Sequence, residues 1–380
     1  MAALVLDDDQ RLLKEAALSF CRENAPLSVL RRLRDTRDPL GYDPDLWRQM
    51  VELGWTGMTV PEAYGGFDFG YRGLGIVLEA SGRSLLNSPL ISTVLLSATA
   101  LDFGGSEAQK QEFLPAIVNG EMIMALAVDE APHHAPANVK LTAEPGNDGF
   151  VLNGSKVMVL DGQIADKLIV SARTSGSGSE QSGISLFLVN AGSVGVSVRQ
   201  TGMVDSRNAA TITLNNVKVS GDDLLGPCDQ GLPLLERILD TGCIGLAAEM
   251  LGSMQEVFER ILDYLRQREQ FGVPIGAFQA LQHRAAAMYC DIELCKSVVL
   301  AALDALDNDS EQVPRLASLA KAKCSEVFFT VSNEGIQMHG GIGMTDEFDI
   351  GFFLKRARVV QTLFGDQIFH RDRYARLQGF

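Results

Sequence analysis

No stretch of the 380-residue chain holds the run of about 18 or more apolar residues that a membrane-spanning helix needs, so no such span is expected. The opening Met1-Ala-Ala-Leu-Val-Leu-Asp-Asp-Asp has neither a basic start nor a long apolar segment, and no secretory leader is expected. Cysteine is sparse. Cys21, Cys228, Cys243, Cys290, Cys295 and Cys324 include no Cys-x-x-Cys pair, and none lies near a histidine at zinc-ligand spacing. That argues against a disulfide framework or a metal site and makes reduced cytoplasm the expected compartment. Positive charge is also short: 33 Lys and Arg stand against 48 Asp and Glu, a net −15. Such a chain repels phosphate backbones, so no nucleic-acid partner is expected. Nor does a Gly-x-Gly-x-x-Gly follow a strand, which removes the Rossmann type of dinucleotide site.

What is present is ample apolar matter, 46% of residues, enough for two or three domains. Residues 1–120 read as helical. Ala16, Ala17, Phe20 and Cys21 form one helix-period stripe, and Leu46, Met50, Val51 and Leu53 begin another. Ser106 followed by Gln109 is a capping-box pattern, for a helix that Asn119-Gly120 ends. Residues 121–226 switch to short β-rich runs at 167–170, 184–189, 194–198 and 211–219, the last alternating through Ile212, Leu214, Val217 and Val219. Asn153-Gly154 between apolar runs predicts a hairpin with a type I′ turn. Ser175 to Ser182 reads as a solvated Gly/Ser loop. Residues 227–380 return to helix, with stripes through Ala247, Met250, Leu251, Met254, Phe258 and Ile261, through Cys295, Val299 and Ala302, and through Leu316, Leu319, Phe328 and Val331 after Pro314. The expected fold is mainly α with a central β-domain and a C-terminal helical bundle that also packs on another subunit.

Four segments then stand out in order. They are Leu53-Gly-Trp-Thr-Gly-Met-Thr-Val-Pro61-Glu-Ala-Tyr-Gly-Gly; Gly149-Phe-Val-Leu-Asn-Gly-Ser-Lys156 with Gly162-Gln-Ile-Ala-Asp166; Arg268-Glu-Gln-Phe271-Gly272 running to Gln279; and Gln337-Met-His-Gly340-Gly341-Ile-Gly. Together they resemble the acyl-CoA dehydrogenase family along nearly the whole chain. The resemblance implies an N-terminal helical domain, a β-barrel-like middle domain and a C-terminal four-helix bundle. It further implies FAD, an acyl-CoA thioester substrate, a dimer of dimers and an electron-transfer flavoprotein as electron acceptor. Carried over, Arg268 would pair with the cofactor pyrophosphate, Phe271 would offer an apolar face, Gln279 and Gln337 would hydrogen-bond, and Gly340 and Gly341 would admit close approach. His339 reads as structural, and His133 and His134 are given no role.

The likeness fails where the chemistry is. The reaction needs a carboxylate within reach of the α-proton. The family's C-terminal Glu position falls on Phe364 in Thr362-Leu363-Phe364-Gly365-Asp366-Gln367, and the alternative helix position falls on Gly242. The flavin-facing stretches are replaced by Asp129-Glu130-Ala131-Pro132-His133 and by Met158-Val159-Leu160-Asp161. The chain thus looks most like the small, non-catalytic subunits of bacterial two-subunit acyl-CoA dehydrogenases, such as pimeloyl-CoA dehydrogenase and those of steroid side-chain or ring degradation, which complete the FAD sites of a paralogous partner. Two other readings stand beside it: a self-sufficient enzyme with a displaced base, Asp366 first and Asp240 or Glu249 after it, and a flavin-free scaffold.

Overall fold

The computed structural model describes residues 5–177 and 180–380. The first third is helical: α1 (Asp8–Asn24), α2 (Leu27–Thr36), α3 (Pro44–Glu52), α4 (Gly70–Arg83), a π-helical stretch (Leu90–Ser97), α5 (Ala98–Gly104) and α6 (Glu107–Val118). Eight strands follow: β1 (Met124–Ala127), β2 (Thr142–Pro145), β3 (Gly149–Leu160), β4 (Lys167–Arg173), β5 (Ile184–Asn190), β6 (Val196–Gln200), β7 (Ala209–Ser220) and β8 (Leu224–Leu225). The rest is helical but for one small hairpin: α7 (Gly231–Gln267), β9 (Glu269–Gln270), β10 (Val273–Pro274), α8 (Gln279–Asn308), α9 (Val313–His339), α10 (Ile350–Thr362) and α11 (Gln367–Leu377).

Local chemistry explains several boundaries. Ser106 and Gln109 form the expected reciprocal cap of α6, which ends at Val118 with Asn119 and Gly120 after it. Asp7 and Gln10 cap α1 in the same way, and Pro314 sits in the first turn of α9. In α1 the stripe buries Ala17 and Cys21; in α3 it buries Leu46, Trp47 and Met50.

The strands make one sheet in the order β6-β7-β3-β2-β4-β5-β8, with β1 lying parallel to β4. Its core is built from Leu152, Leu168, Val170, Phe187, Ile212, Leu214 and Val217. The jump from Leu214 to Val217 in β7 marks a bulge, with Asn216 at φ 53°.

Asn153-Gly154 is not a hairpin turn. Both lie inside the continuous strand β3, opposite that bulge. Asn153 Oδ1 accepts from the Asn216 amide at 2.8 Å, and a Cβ on Gly154 would stand 2.8 Å from Leu141 Cα. The glycine serves close backbone approach, not chain reversal. Of the Gly/Ser loop between β4 and β5, residues 178–179 lie outside the described residues, as do residues 1–4.

Contacts divide the chain into two compact units. One combines the described residues up to Arg31 with Tyr71–Leu86 and Cys243–Phe380; the other combines Arg32–Gly70 with Asn87–Gly242. In the first unit, α9 is wrapped by α8, α10 and α11. A Cβ on its Gly335 would meet Val257 of α7 at 2.8 Å, so that helix packs closely there as well.

Candidate functional site

The segments singled out for a cofactor meet at one end of the bundle in the first unit. The Tyr264 ring of α7 lies 4.5 Å from the ring of His339, the last residue of α9, and Phe348 closes the other side at 4.8 Å. Arg284 of α8 pairs with Glu334 of α9, fixing the third helix beside them. From this platform β9 and β10 project as a hairpin with Phe271 at its tip, at φ 55° and 91% exposed. Phe278 stands edge-on to it at 6.1 Å.

Arg268, Gln279 and Gln337 are all exposed, and among the described residues no side-chain hydrogen bond or ion pair engages any of the three. Gly340 ends α9 at φ 64°, and a Cβ on it or on Gly341 would meet nothing within 4 Å. His339 is buried. Its Nδ1 lies 2.6 Å from the Gly335 carbonyl, leaving Nε2 as an acceptor with no donor among the described residues. Burial lowers its pKa and keeps the ring neutral, the structural role expected of it. The end of the bundle thus presents a free forked cation, two free amides, an exposed ring and a bare glycine turn. These suit a pyrophosphate and the polar groups flanking it, so the adenine-pyrophosphate part of FAD fits here.

Neither expected base position holds a carboxylate: Gly242 lies in α7, and Phe364 follows α10. Phe364 is buried in a turn, at φ 56°, and no carboxylate takes its place. Its carbonyl lies 3.7 Å from Sγ of Cys243, the residue after Gly242 in α7, and accepts from His370 Nε2 at 2.9 Å. The displaced candidates have other duties. Asp366 is the N-cap of α11, its Oδ1 accepting from the Phe369 amide at 2.9 Å. Glu249 is buried against Arg356 at 3.0 Å. Asp240 is buried and already engaged.

In the second unit the stretch expected to face the flavin ring is inward-turned. Val159 and Leu160 are core residues, Met158 is partly exposed at φ 55°, and Asp161 is buried with Ser92 donating to it at 2.6 Å. Burial lifts Asp161 to about 6, against the Ser92 hydrogen bond and the Arg207 charge. Lys156 is buried too. It donates to the Val128 carbonyl, Glu130 and Ser171 at 2.8–2.9 Å, and desolvation drops it to about 8. His134, given no role, sits on Asp129 at 3.0 Å. Hence no free side-chain donor faces outward from 158–161, and this stretch does not fit the ring end of FAD.

Sequence reading missed Lys321, buried on α9, whose ammonium reaches the Phe364 turn. A lysine in register with Ala317, Cys324 and Phe328 on the buried face of a helix was the available signal.

Family models for the acyl-CoA dehydrogenase N-terminal, middle and C-terminal domains match residues 7–121, 130–217 and 229–378. Mitochondrial 2-methylacyl-CoA dehydrogenase of Solanum tuberosum is 32% identical over 372 residues, 96% of this chain and 89% of the relative. Butyryl-CoA dehydrogenase from Megasphaera elsdenii superposes with a TM-score of 0.91 at 26% identity, over 99% of both chains. A variant of the Tcur3481-Tcur3483 steroid ACAD superposes at 0.87 with 29% identity, over 98% of both. This chain is therefore a member of the acyl-CoA dehydrogenase family, whose enzymes are FAD-dependent and oxidise acyl-CoA.

Proposed function

We propose that this chain is the subunit of a heteromeric acyl-CoA dehydrogenase that completes FAD sites without supplying the base. The observation that carries this reading is the Phe364 turn. Where relatives of this type place a proton-abstracting glutamate, a buried phenyl ring sits, and the candidate carboxylates Asp366 and Glu249 cap a helix and hold an arginine. A hydrocarbon cannot accept the α-proton, so that proton would go to a carboxylate of a paralogous partner. The free donors at the bundle end support the other half of the proposal. They suit a cofactor shared with another subunit, and they speak against a flavin-free scaffold.

In this reading FAD, when bound, takes up the hydride from the β-carbon. The chain's own residues bind and exclude. Arg268 would hold the pyrophosphate through its charged guanidinium. Gln279 and Gln337 fix polar groups on either side, and Phe271 shields them from water. Gly340-Gly341 lets the backbone come close. Phe364 itself offers the turn no proton acceptor. The chain is organised as 1–120, 121–226 and 227–380, works in the cytoplasm within a tetramer, and passes electrons to an electron-transfer flavoprotein. The paired designation of the Tcur3481-Tcur3483 steroid ACAD suits a two-subunit enzyme of fatty acid or steroid degradation.

The test is to purify the chain alone and co-expressed with a paralogue that carries the glutamate, then measure flavin absorbance, native mass and acyl-CoA oxidation. The expected result is a flavin-poor single chain and a yellow, active complex in which Asp366→Asn leaves activity within about twofold, because asparagine caps α11 equally well. A yellow, active single chain silenced by Asp366→Asn would replace the heteromer with a self-sufficient enzyme.

A further inference from the structure

Phe364 is held in a backbone conformation that a bulky residue avoids, at φ 56°, with Gly365 after it at φ 101°. Such strain persists only where the surroundings over-determine it, and it concentrates at sites with a job. Three elements grip this turn. From α7 and α11, Cys243 and His370 hold the Phe364 carbonyl. From α9, Lys321 Nζ donates to the Gly365 carbonyl at 2.7 Å and to the Gln361 carbonyl at 3.1 Å, with Ser325 Oγ at 3.5 Å.

Lys321 is unusual in its company. It is fully buried, yet among the described residues no carboxylate lies within 4 Å; its hydrogen-bond acceptors are two carbonyls and one hydroxyl. The titratable groups around it are Cys243 on α7, Cys324 on α9 and Asp366 at α11, with His370 against Cys243. A buried ammonium without a counter-ion detracts from stability. A methionine of similar shape would fill the space without that penalty. The one thing lysine adds is a set of N–H donors aimed at the end of α10 and at the turn that follows.

We propose that Lys321 is a positioning residue: its donors hold the Gln361–Gly365 turn, and with it the side chain of residue 364, in the strained conformation that closes this end of the bundle. That the turn faces the chemistry rests on reading Phe364 as the family's glutamate position; the clamp itself does not.

The experiment compares wild type, Lys321→Met and Lys321→Gln in the full chain co-purified with its partner. Amide hydrogen exchange is measured at residues 362–370, along with melting temperature and steady-state kinetics. Lys321→Met is expected to leave the melting temperature unchanged or raise it, while exchange in the turn quickens by at least about tenfold, the amount that loss of even one hydrogen bond from a charged donor implies. Lys321→Gln keeps two donors and is expected to restore slow exchange. In the complex, kcat is expected to fall with Lys321→Met while KM holds. Turn exchange unchanged in Lys321→Met overturns the proposal. So does a lower melting temperature with faster exchange throughout the bundle, which would make Lys321 a general stabiliser. Faster turn exchange with unaltered kinetics would keep the clamp and instead reject the reading of position 364 as facing the chemistry.

Discussion

Asp161 is buried with one hydroxyl donor, Ser92, and an arginine nearby, and this is too little to keep its charge comfortable. Its pKa rises from 3.8 to about 6. Between these values the folded chain holds a proton that the unfolded chain has lost, so the contribution is fully present below pH 3.8 and disappears as pH rises through 6. At neutral pH the buried carboxylate weakens the fold by about 3 kcal/mol, the cost of that rise. Asp161→Asn keeps an acceptor for Ser92 without the charge. It is expected to raise stability at pH 7 by up to about 3 kcal/mol and to flatten the pH 4–6 slope, as urea titrations at several pH values would show. An unchanged slope would mean that another group titrates there. The two buried lysines act oppositely. Lys156 and Lys321 sit at about 8, so stability rises with pH from there toward 10.5.

At the scale of elements, α6 shows what a cap reaches. Ser106 and Gln109 exchange bonds across its first turn, but the Gln109 amide also donates to the carbonyls of Asp222 at 2.7 Å and Leu224 at 3.1 Å. One side chain therefore ties a helix start to the run into β8. Ser106→Ala removes only the local cap and should cost about 1 kcal/mol. Gln109→Ala also strands two carbonyls and should cost about 2–3 kcal/mol. Equal losses in thermal melts would show that the link to β8 is idle. The Ser-x-x-Gln pattern was legible because capping is a matter of four consecutive residues. Asn153-Gly154 misled for the same reason: locally it spells a turn, but partners outside the pair, Leu141 and Asn216, keep it inside β3 opposite the bulge of β7. The segments proposed to hold the cofactor were legible as motifs, since each motif lies on one continuous segment. The clamp under Phe364 was not. It joins residues 243, 321, 361–365 and 370, and no single stretch of sequence carries it.

For the whole molecule, the decisive question is whether groups idle in one chain are employed in an assembly. The three-part order along the sequence could not show that the described residues up to Arg31 and Tyr71–Leu86 share a compact unit with Cys243–Phe380. Nor could it show that Arg268 stands exposed without a partner among the described residues of its own chain. A cation with no partner contributes little to its own fold, so Arg268→Ala should change the stability of the chain by less than about 0.5 kcal/mol. If its guanidinium grips a pyrophosphate in the complex, the same change removes a charge-assisted, two-pronged contact, worth about 2 kcal/mol or a factor of about 30 in FAD affinity. Arg266 supplies the control. It lies two residues away and is exposed, but it is paired with Asp263 at 3.3 Å. Flavin-to-protein ratios of the purified complex, measured during dilution, should drop for Arg268→Ala and hold for Arg266→Ala, with both variants melting as wild type does. Equal flavin retention in the two would remove the bundle end from the cofactor site and leave its free donors to the subunit interface alone.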